Sequence, residues 1–171
     1  MFVSFESLPG GSRVWVFQAN RPLNAEEVKL MESKLQEFTQ SWVVHGSPFN
    51  TSYKIVHSQF IILAADETQY SASGCSIDSS VRVLKELGQV LGLELLDRNQ
   101  VAFWVNGGVM LVPLHAMKHK FQEGTLNEDT LAFNNLVQTK KDLDENWLVP
   151  AGQTWLKRYI QNPLAKVKSV S

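Results

Sequence analysis

The chain has 171 residues and a formal net charge of −1, and 44% of its residues are hydrophobic against 19% charged. This length and composition are typical of a globular domain and exclude disordered proteins, fibrous proteins and membrane-spanning helices. Nucleic-acid-binding proteins need an excess of basic residues, which this chain lacks. Disulfide-stabilised domains need several cysteines, whereas this chain has a single cysteine. We therefore expect a cytoplasmic protein that contacts neither a membrane nor a nucleic acid.

The first predicted elements are a strand over residues 13–19, which are β-branched and aromatic, and a helix that follows it. Asn24, with Glu27 three residues later, has the spacing of an N-terminal capping box. Apolar residues then recur at steps of three and four, as on one face of a helix: Val28, Met31, Leu35, Phe38 and Trp42. The breaker residues 46–48 (Gly-Ser-Pro) predict the end of this helix.

The middle of the chain predicts more strands and a second helix. Residues 53–65 form one long strand, or two strands with a break near His57 and Ser58. The second helix is expected to begin between Ser76 and Asp78 and to end at Gly92. Residues 101–112 predict a hairpin, because Asn-Gly-Gly at its centre tolerates the positive φ angles of a type I′ turn.

The last third of the chain is predicted to be helical and irregular, with helices over residues 129–137 and 154–160. With two strands in 53–65, the chain begins with the βαββαβ order of ferredoxin-like folds, followed by an added hairpin strand. We therefore predict a single α+β domain over residues 1–162. Residues 163–171 are expected to form a flexible basic tail.

Four stretches together resemble an uncharacterised family of small Bacteroidetes proteins: WVFQANR at 15–21, WVVHG at 42–46, ASGCSID at 72–78 and FNNLV at 133–137. Some members of that family bear the name ABC transporter ATPase, but the resemblance implies no known chemistry. A phosphate-binding P-loop closes on Gly-Lys followed by Ser or Thr. This chain contains no Gly-Lys pair, so we exclude an ATPase.

The main candidate site lies in residues 71–78, between an apolar strand and the second helix. Backbone N–H groups at a helix start attract anions, and serine hydroxyls can add hydrogen bonds. Ser73, Gly74, Ser76 and Asp78 therefore form a candidate site for a small anionic ligand. The alternative is that Ser76 or Asp78 only caps the helix, as these residue types often do.

Cys75 is the candidate nucleophile of an alternative function, a cysteine-dependent hydrolase or transferase. A helix start favours the thiolate form, and His45 or His57 is the candidate base. Asp66 and Glu67 would orient the base, bind the ligand or hold Mg²⁺. Against these roles, a lone cysteine is often a buried core residue, and adjacent acidic residues often lie in a solvated turn.

Arg21, after the first strand, is the basic residue placed to meet an anion, although a surface ion pair is the simpler interpretation. The histidines have no zinc-site spacing that a Cys or Glu completes, so no metal site and no cofactor is expected. We therefore predict a non-catalytic domain that binds a small anionic ligand or a protein partner at residues 73–78. Homo-oligomerisation is also predicted, because the hairpin leaves an edge strand to be covered.

Overall fold

The computed structural model describes residues 1–44, 47–69 and 71–160. These residues form two compact units. The first comprises Met1–Asp97 and Asn135–Glu145, and the second comprises Arg98–Asn134 and the described residues from Asn146 onward. The single domain predicted over residues 1–162 stays a prediction.

The described residues combine helices with antiparallel sheets, so the α+β fold is confirmed. The helices are α1 (Ala25–Ser41), α2 (Gly74–Leu91), α3 (Leu114–Gln122) and α4 (Lys140–Asn146). The strands are β1 (Arg13–Gln18), β2 (Val43–Val44), β3 (Ser47–Pro48), β4 (Thr51–Val56), β5 (Phe60–Ala65), β6 (Gln100–Val105), β7 (Gly108–Pro113), β8 (Leu131–Phe133) and β9 (Leu148–Pro150). Short 3₁₀ helices occupy Phe5–Ser7, Ala151–Gln153 and Trp155–Tyr159.

The main sheet of the first unit has the strand order β1-β5-β4, and both pairings are antiparallel. Residues 53–65 therefore belong to two strands, and the turn between them is where the sequence places a break. His57 and Ser58 both have positive φ there, 53° and 52°, and Gln59 N donates to Val56 O at 3.1 Å. All six residues of β5 are buried, as expected for an apolar central strand.

Helices α1 and α2 share one hydrophobic core with the β1-β5-β4 sheet. The predicted capping box is confirmed: Glu27 N donates to Asn24 Oδ1 at 2.8 Å, and Asn24 N donates to Glu27 Oε1 at 3.0 Å. The predicted end of α2 is confirmed too, because Gly92 has the left-handed φ of 65°.

Helix α1 ends earlier than its apolar stripe predicts, at Ser41. The hydroxyls of Thr39 and Ser41 donate to the carbonyls of Leu35 and Glu37, in competition with the regular helical pattern. Trp42 then adopts extended backbone angles. Of the predicted stop at residues 46–48, Gly46 lies outside the described residues, and Ser47 and Pro48 form β3.

The sheet of the second unit has the order β7-β6-β8-β9 and is antiparallel. The predicted hairpin is confirmed, because Asn106 and Gly107 have the positive φ angles, 53° and 75°, that a type I′ turn requires. One face of the sheet packs with α3 and the C-terminal 3₁₀ helix in a second core, built around Phe103, Met117 and Leu156.

Two predictions for the C-terminal third are corrected. The predicted helix over 129–137 is wrong, because Leu131–Phe133 pairs with β6 and β9 as strand β8. Pairing with two distant strands outweighs the weak local preference for helix. The predicted helix over 154–160 is a short 3₁₀ helix, and the tail 163–171 lies outside the described residues.

The ferredoxin-like topology is not confirmed. The order β1-β5-β4 agrees with such a fold, in which the strand after the second helix would join the same sheet. Here that strand is β6, and it pairs with β7 and β8 in the sheet of the second unit.

Gly88→Ala should destabilise the first unit by about 1–3 kcal/mol, the usual cost of overpacking a filled site. A Cβ at position 88 would lie 2.6 Å from the carbonyl oxygen of Leu93, so the backbone after α2 would have to move. Urea unfolding of the purified protein measures the change. Gly74→Ala in the same helix is the control, because its Cβ meets nothing within 4 Å. Equal stability of the two variants would contradict this account.

Candidate functional site

Helix α2 begins at Gly74, earlier than the sequence predicts, and Ser73 is its N-cap. The Ser73 hydroxyl accepts a hydrogen bond from Ser76 N at 3.2 Å, so Ser73, not Ser76 or Asp78, caps the helix. Cys75 is the second residue of the helix and is exposed. The alternative that Cys75 is a buried core residue is therefore wrong.

The two predicted serine ligands use their hydroxyl protons within the protein. Ser76 Oγ donates to the carbonyl oxygen of Val43 at 2.8 Å, and the oxygens of Ser73 and Ser76 lie 3.0 Å apart. Since the Ser76 proton points to Val43, the Ser73 hydroxyl must be the donor in the Ser73–Ser76 bond. Neither hydroxyl has a proton left for an anion.

Trp42 adds a second hydrogen bond between the residues after α1 and Ser76. Its indole N–H donates to the carbonyl oxygen of Ser76 at 2.9 Å, and the residue is only 2% exposed. Its ring packs against Trp15, Phe38 and Phe49 with centroid separations of 5.1–5.5 Å. We call this set of contacts between Trp42–Val43 and Ser73–Ser76 the Trp42–Ser76 clamp. Sequence reasoning missed it, because the apolar stripe of α1 gives no indication of a polar partner.

The donors that remain at the start of α2 are backbone amides. Among the described residues, the N–H groups of Gly74 and Cys75 have no acceptor, and both residues are exposed. The amide of Ala72, just before the cap, donates to Glu67 Oε1 at 3.1 Å. The helix start therefore offers two adjacent donors at the positive end of an 18-residue helix.

The predicted acidic pair is held inside its own turn. Asp66 Oδ1 accepts hydrogen bonds from the backbone N–H and the hydroxyl of Thr68, at 3.0 and 2.7 Å. Glu67 accepts from Ala72 N. The two carboxylates thus bind different local donors, as in the solvated-turn interpretation. Within the described part of the chain, no three His, Cys, Asp or Glu side chains are grouped to hold a metal ion.

Arg21 does not lie at the start of α2. Its guanidinium donates to Glu27 Oε1 and Oε2 at 2.9 and 2.8 Å, and to the carbonyl oxygen of Leu91 at 3.0 Å. Leu91 is the last residue of α2, and 18 residues at 1.5 Å each span about 27 Å. Arg21 therefore forms an ion pair and caps the C-terminus of α2, so the ion-pair interpretation of this residue is confirmed.

The structure does not bring the candidate base His57 to Cys75. His57 lies in the β4–β5 turn, where the carbonyl oxygen of the neighbouring Ser58 accepts a hydrogen bond from Leu23 N at 2.7 Å. Leu23 is two residues from Arg21, which binds the C-terminal end of α2, so this turn lies near the opposite end of α2 from Cys75. His45 lies outside the described residues. Asp78 is exposed on the first turn of α2.

No protein family model matches the chain, and no curated protein or solved structure matches it either. The resemblance of the four sequence stretches to a Bacteroidetes family stays a prediction. None of the described helices is both long enough and apolar enough to cross a membrane.

Glu27→Gln should lower the melting temperature at neutral pH, with an effect that fades in acid. The hydrogen bonds from Arg21, then the bond from the Asn24 amide, lower the pKa of Glu27 from 4.5 to about 2. A carboxylate with a lowered folded-state pKa stabilises the protein above its unfolded-state pKa, and this stabilisation is lost as the pH falls toward 2. The difference in melting temperature between wild type and variant should therefore shrink between about pH 5 and pH 2.

Glu26→Gln is the matched control, because it removes one charge from the same helical turn at an exposed side chain. Thermal unfolding followed by circular dichroism across this pH range measures both variants. A Glu27→Gln effect that stays constant down to pH 2 would contradict the role assigned to the Arg21 pair.

Proposed function

We propose that the protein is a non-catalytic cytoplasmic domain that binds a carboxylate group at the amides of Gly74 and Cys75. The carboxylate belongs to a small anionic ligand or to the surface of a partner protein. The observation that carries this proposal is the pair of exposed amides at the start of α2, which have no acceptor among residues 1–44, 47–69 and 71–160. Two adjacent N–H donors match the two oxygens of one carboxylate.

Preorganisation supports the proposal. The Trp42–Ser76 clamp holds the first turn of α2 through hydrogen bonds of 2.8–3.2 Å, so the two amides keep their direction without a ligand. A binding group that is already ordered costs less conformational entropy when the ligand arrives. Neither donor is a side chain that has to be immobilised.

The local charge favours a carboxylate over a phosphate. Residues 71–78 contain one acidic residue, Asp78, and no basic residue. Glu67 adds a second carboxylate beside the cap. Two amides and a helix dipole attract a single negative charge, whereas a doubly charged phosphate meets more repulsion from these acidic neighbours. Arg21, which the sequence placed in the ligand site, is engaged at the other end of α2.

Gly74→Pro tests the proposal, because it removes the first amide donor from a position that suits proline. Gly74 is the first residue of α2, where proline is favoured in helices, and Ser73 before it has the extended angles that proline requires. We expect the variant to fold normally and to bind acetate at least about tenfold more weakly, since a hydrogen bond to a charged group contributes about 1.5–3 kcal/mol. Titration followed by ¹⁵N chemical shifts measures the affinity.

Gly74→Ala is the matched control, because it adds a side chain at the same position but keeps the amide. It should retain the wild-type affinity, and acetate should shift the amide of Cys75 more than inorganic phosphate does at equal concentration. If neither anion shifts these amides in the wild type, the small-ligand version is wrong. Capture of a partner by the wild type and Gly74→Ala, but not by Gly74→Pro, would identify the partner-protein source.

Cys75→Ser separates this proposal from the cysteine-dependent enzyme. The variant keeps the backbone amide and loses the thiol, so a non-catalytic domain should keep its affinity for the carboxylate. The exposed thiol should also react with iodoacetamide in the folded protein. Turnover of a thioester or ester substrate by the wild type, abolished in Cys75→Ser, would overturn the non-catalytic function.

A further inference from the structure

We propose that two copies of this chain associate through the outer edge of β7, forming one continuous antiparallel sheet with Met110 at the two-fold axis. This inference concerns the sheet of the second unit and does not depend on the ligand proposed for α2. It rests on which backbone groups of Gly108–Pro113 point away from β6.

The hydrogen-bond alternation of an antiparallel pair determines those groups. Leu114 N donates to Asn99 O at 2.8 Å, so even-numbered residues from 108 to 114 face β6. Val109, Leu111 and Pro113 therefore direct their backbone groups outward. Among the described residues, the N–H groups of Val109 and Leu111 have no acceptor, and Pro113 has no N–H to offer.

The other edges of the two larger sheets are short, partly paired or carry a charge, as with Lys54 of β4. Thr51 of β4 accepts from Val3 N at 2.9 Å and donates to Met1 O at 3.0 Å. The edge of β1 is covered by residues 138–140, since Val14 N donates to Gln138 O at 2.9 Å and Lys140 N to Ser12 O at 2.9 Å. Strand β9 has three residues and ends in a proline. The six-residue β7 has two outward donors, at Val109 and Leu111, that find no acceptor within the described part of the chain.

Strand β7 also lacks the charges that usually protect an edge. Its sequence, GVMLVP, contains no charged residue, whereas exposed edges in monomeric proteins commonly carry lysine, an inward-pointing charge or a bulge. Two identical uncharged strands can approach each other without repulsion. A second copy presents the same unprotected edge, so each open donor finds a matching acceptor.

The positions of the outward groups select the register. With Met110 opposite its copy, Val109 pairs with Leu111 of the second chain and Leu111 with Val109, and each pair exchanges two backbone hydrogen bonds. A register centred on Leu111 would place Pro113 in a hydrogen-bonded pair, where its ring replaces a donor. The Met110 register avoids this conflict. The contact is small, so we expect a dimer that forms with increasing concentration.

A charge-exchange experiment tests both the dimer and its register. Met110→Lys and Met110→Glu should each be monomeric at concentrations where the wild type is dimeric, because like charges would face each other across the axis. An equimolar mixture of the two should recover a dimer. Sedimentation velocity over a hundredfold concentration range measures the masses, and circular dichroism checks that each variant is folded.

Leu111→Pro is an independent test, because it removes an outward donor that β6 does not use; Leu111→Val is its matched control. The proline variant should weaken association at least tenfold, and the valine variant should behave as the wild type does. A monomeric wild type at every concentration would overturn the proposal. A dimer unaffected by Leu111→Pro and by both Met110 variants would also overturn it. Gly74→Pro should leave the dimer intact, so this inference and the proposed ligand site can fail separately.

Discussion

The constraint on which the first unit depends is the burial of β5 on both faces. All six residues from Phe60 to Ala65 have 0% exposure, so both sides of the strand need apolar cover. The backbone groups of β5 are used on both edges, by β1 and by β4. Strand β5 is therefore the central element of the unit, and the helices pack against it.

One face of this strand, formed by Ile61, Leu63 and Ala65, lies in the core that α1 and α2 cover. Burial alone is not directional and would tolerate some sliding of the helices. The Trp42–Ser76 clamp limits this sliding, since its directional hydrogen bonds join the residues after α1 to the first turn of α2. Arg21 fastens the other end of α2 at Leu91.

This arrangement changes the chemistry available at the start of α2. The serines that look like ligands in the sequence serve the fold, because Ser73 caps the helix and Ser76 bonds to Val43. The backbone retains the donors, and their direction is a consequence of packing around Trp42. Backbone amides at a helix start favour negative charge through the helix dipole and involve little side-chain chemistry.

Much of the fold could be predicted from local sequence. The capping box at Asn24, the helix end at Gly92 and the Asn106-Gly107 turn each depend on backbone angles or hydrogen bonds within a few residues. The break at His57 and Ser58 was predictable for the same reason, since a hairpin turn depends on the backbone angles and hydrogen bonds of a few consecutive residues. These features are determined by the residues that form them.

Other features were decided only by tertiary structure. Residues 131–133 became a strand because β6 and β9 supply hydrogen-bond partners that are distant in the sequence. The exposure of Cys75 and the partners of Ser76 and Arg21 likewise depend on where α2 lies against the sheet. The physical reason is that a residue type limits the bonds a side chain can make, whereas long-range packing selects the one it does make.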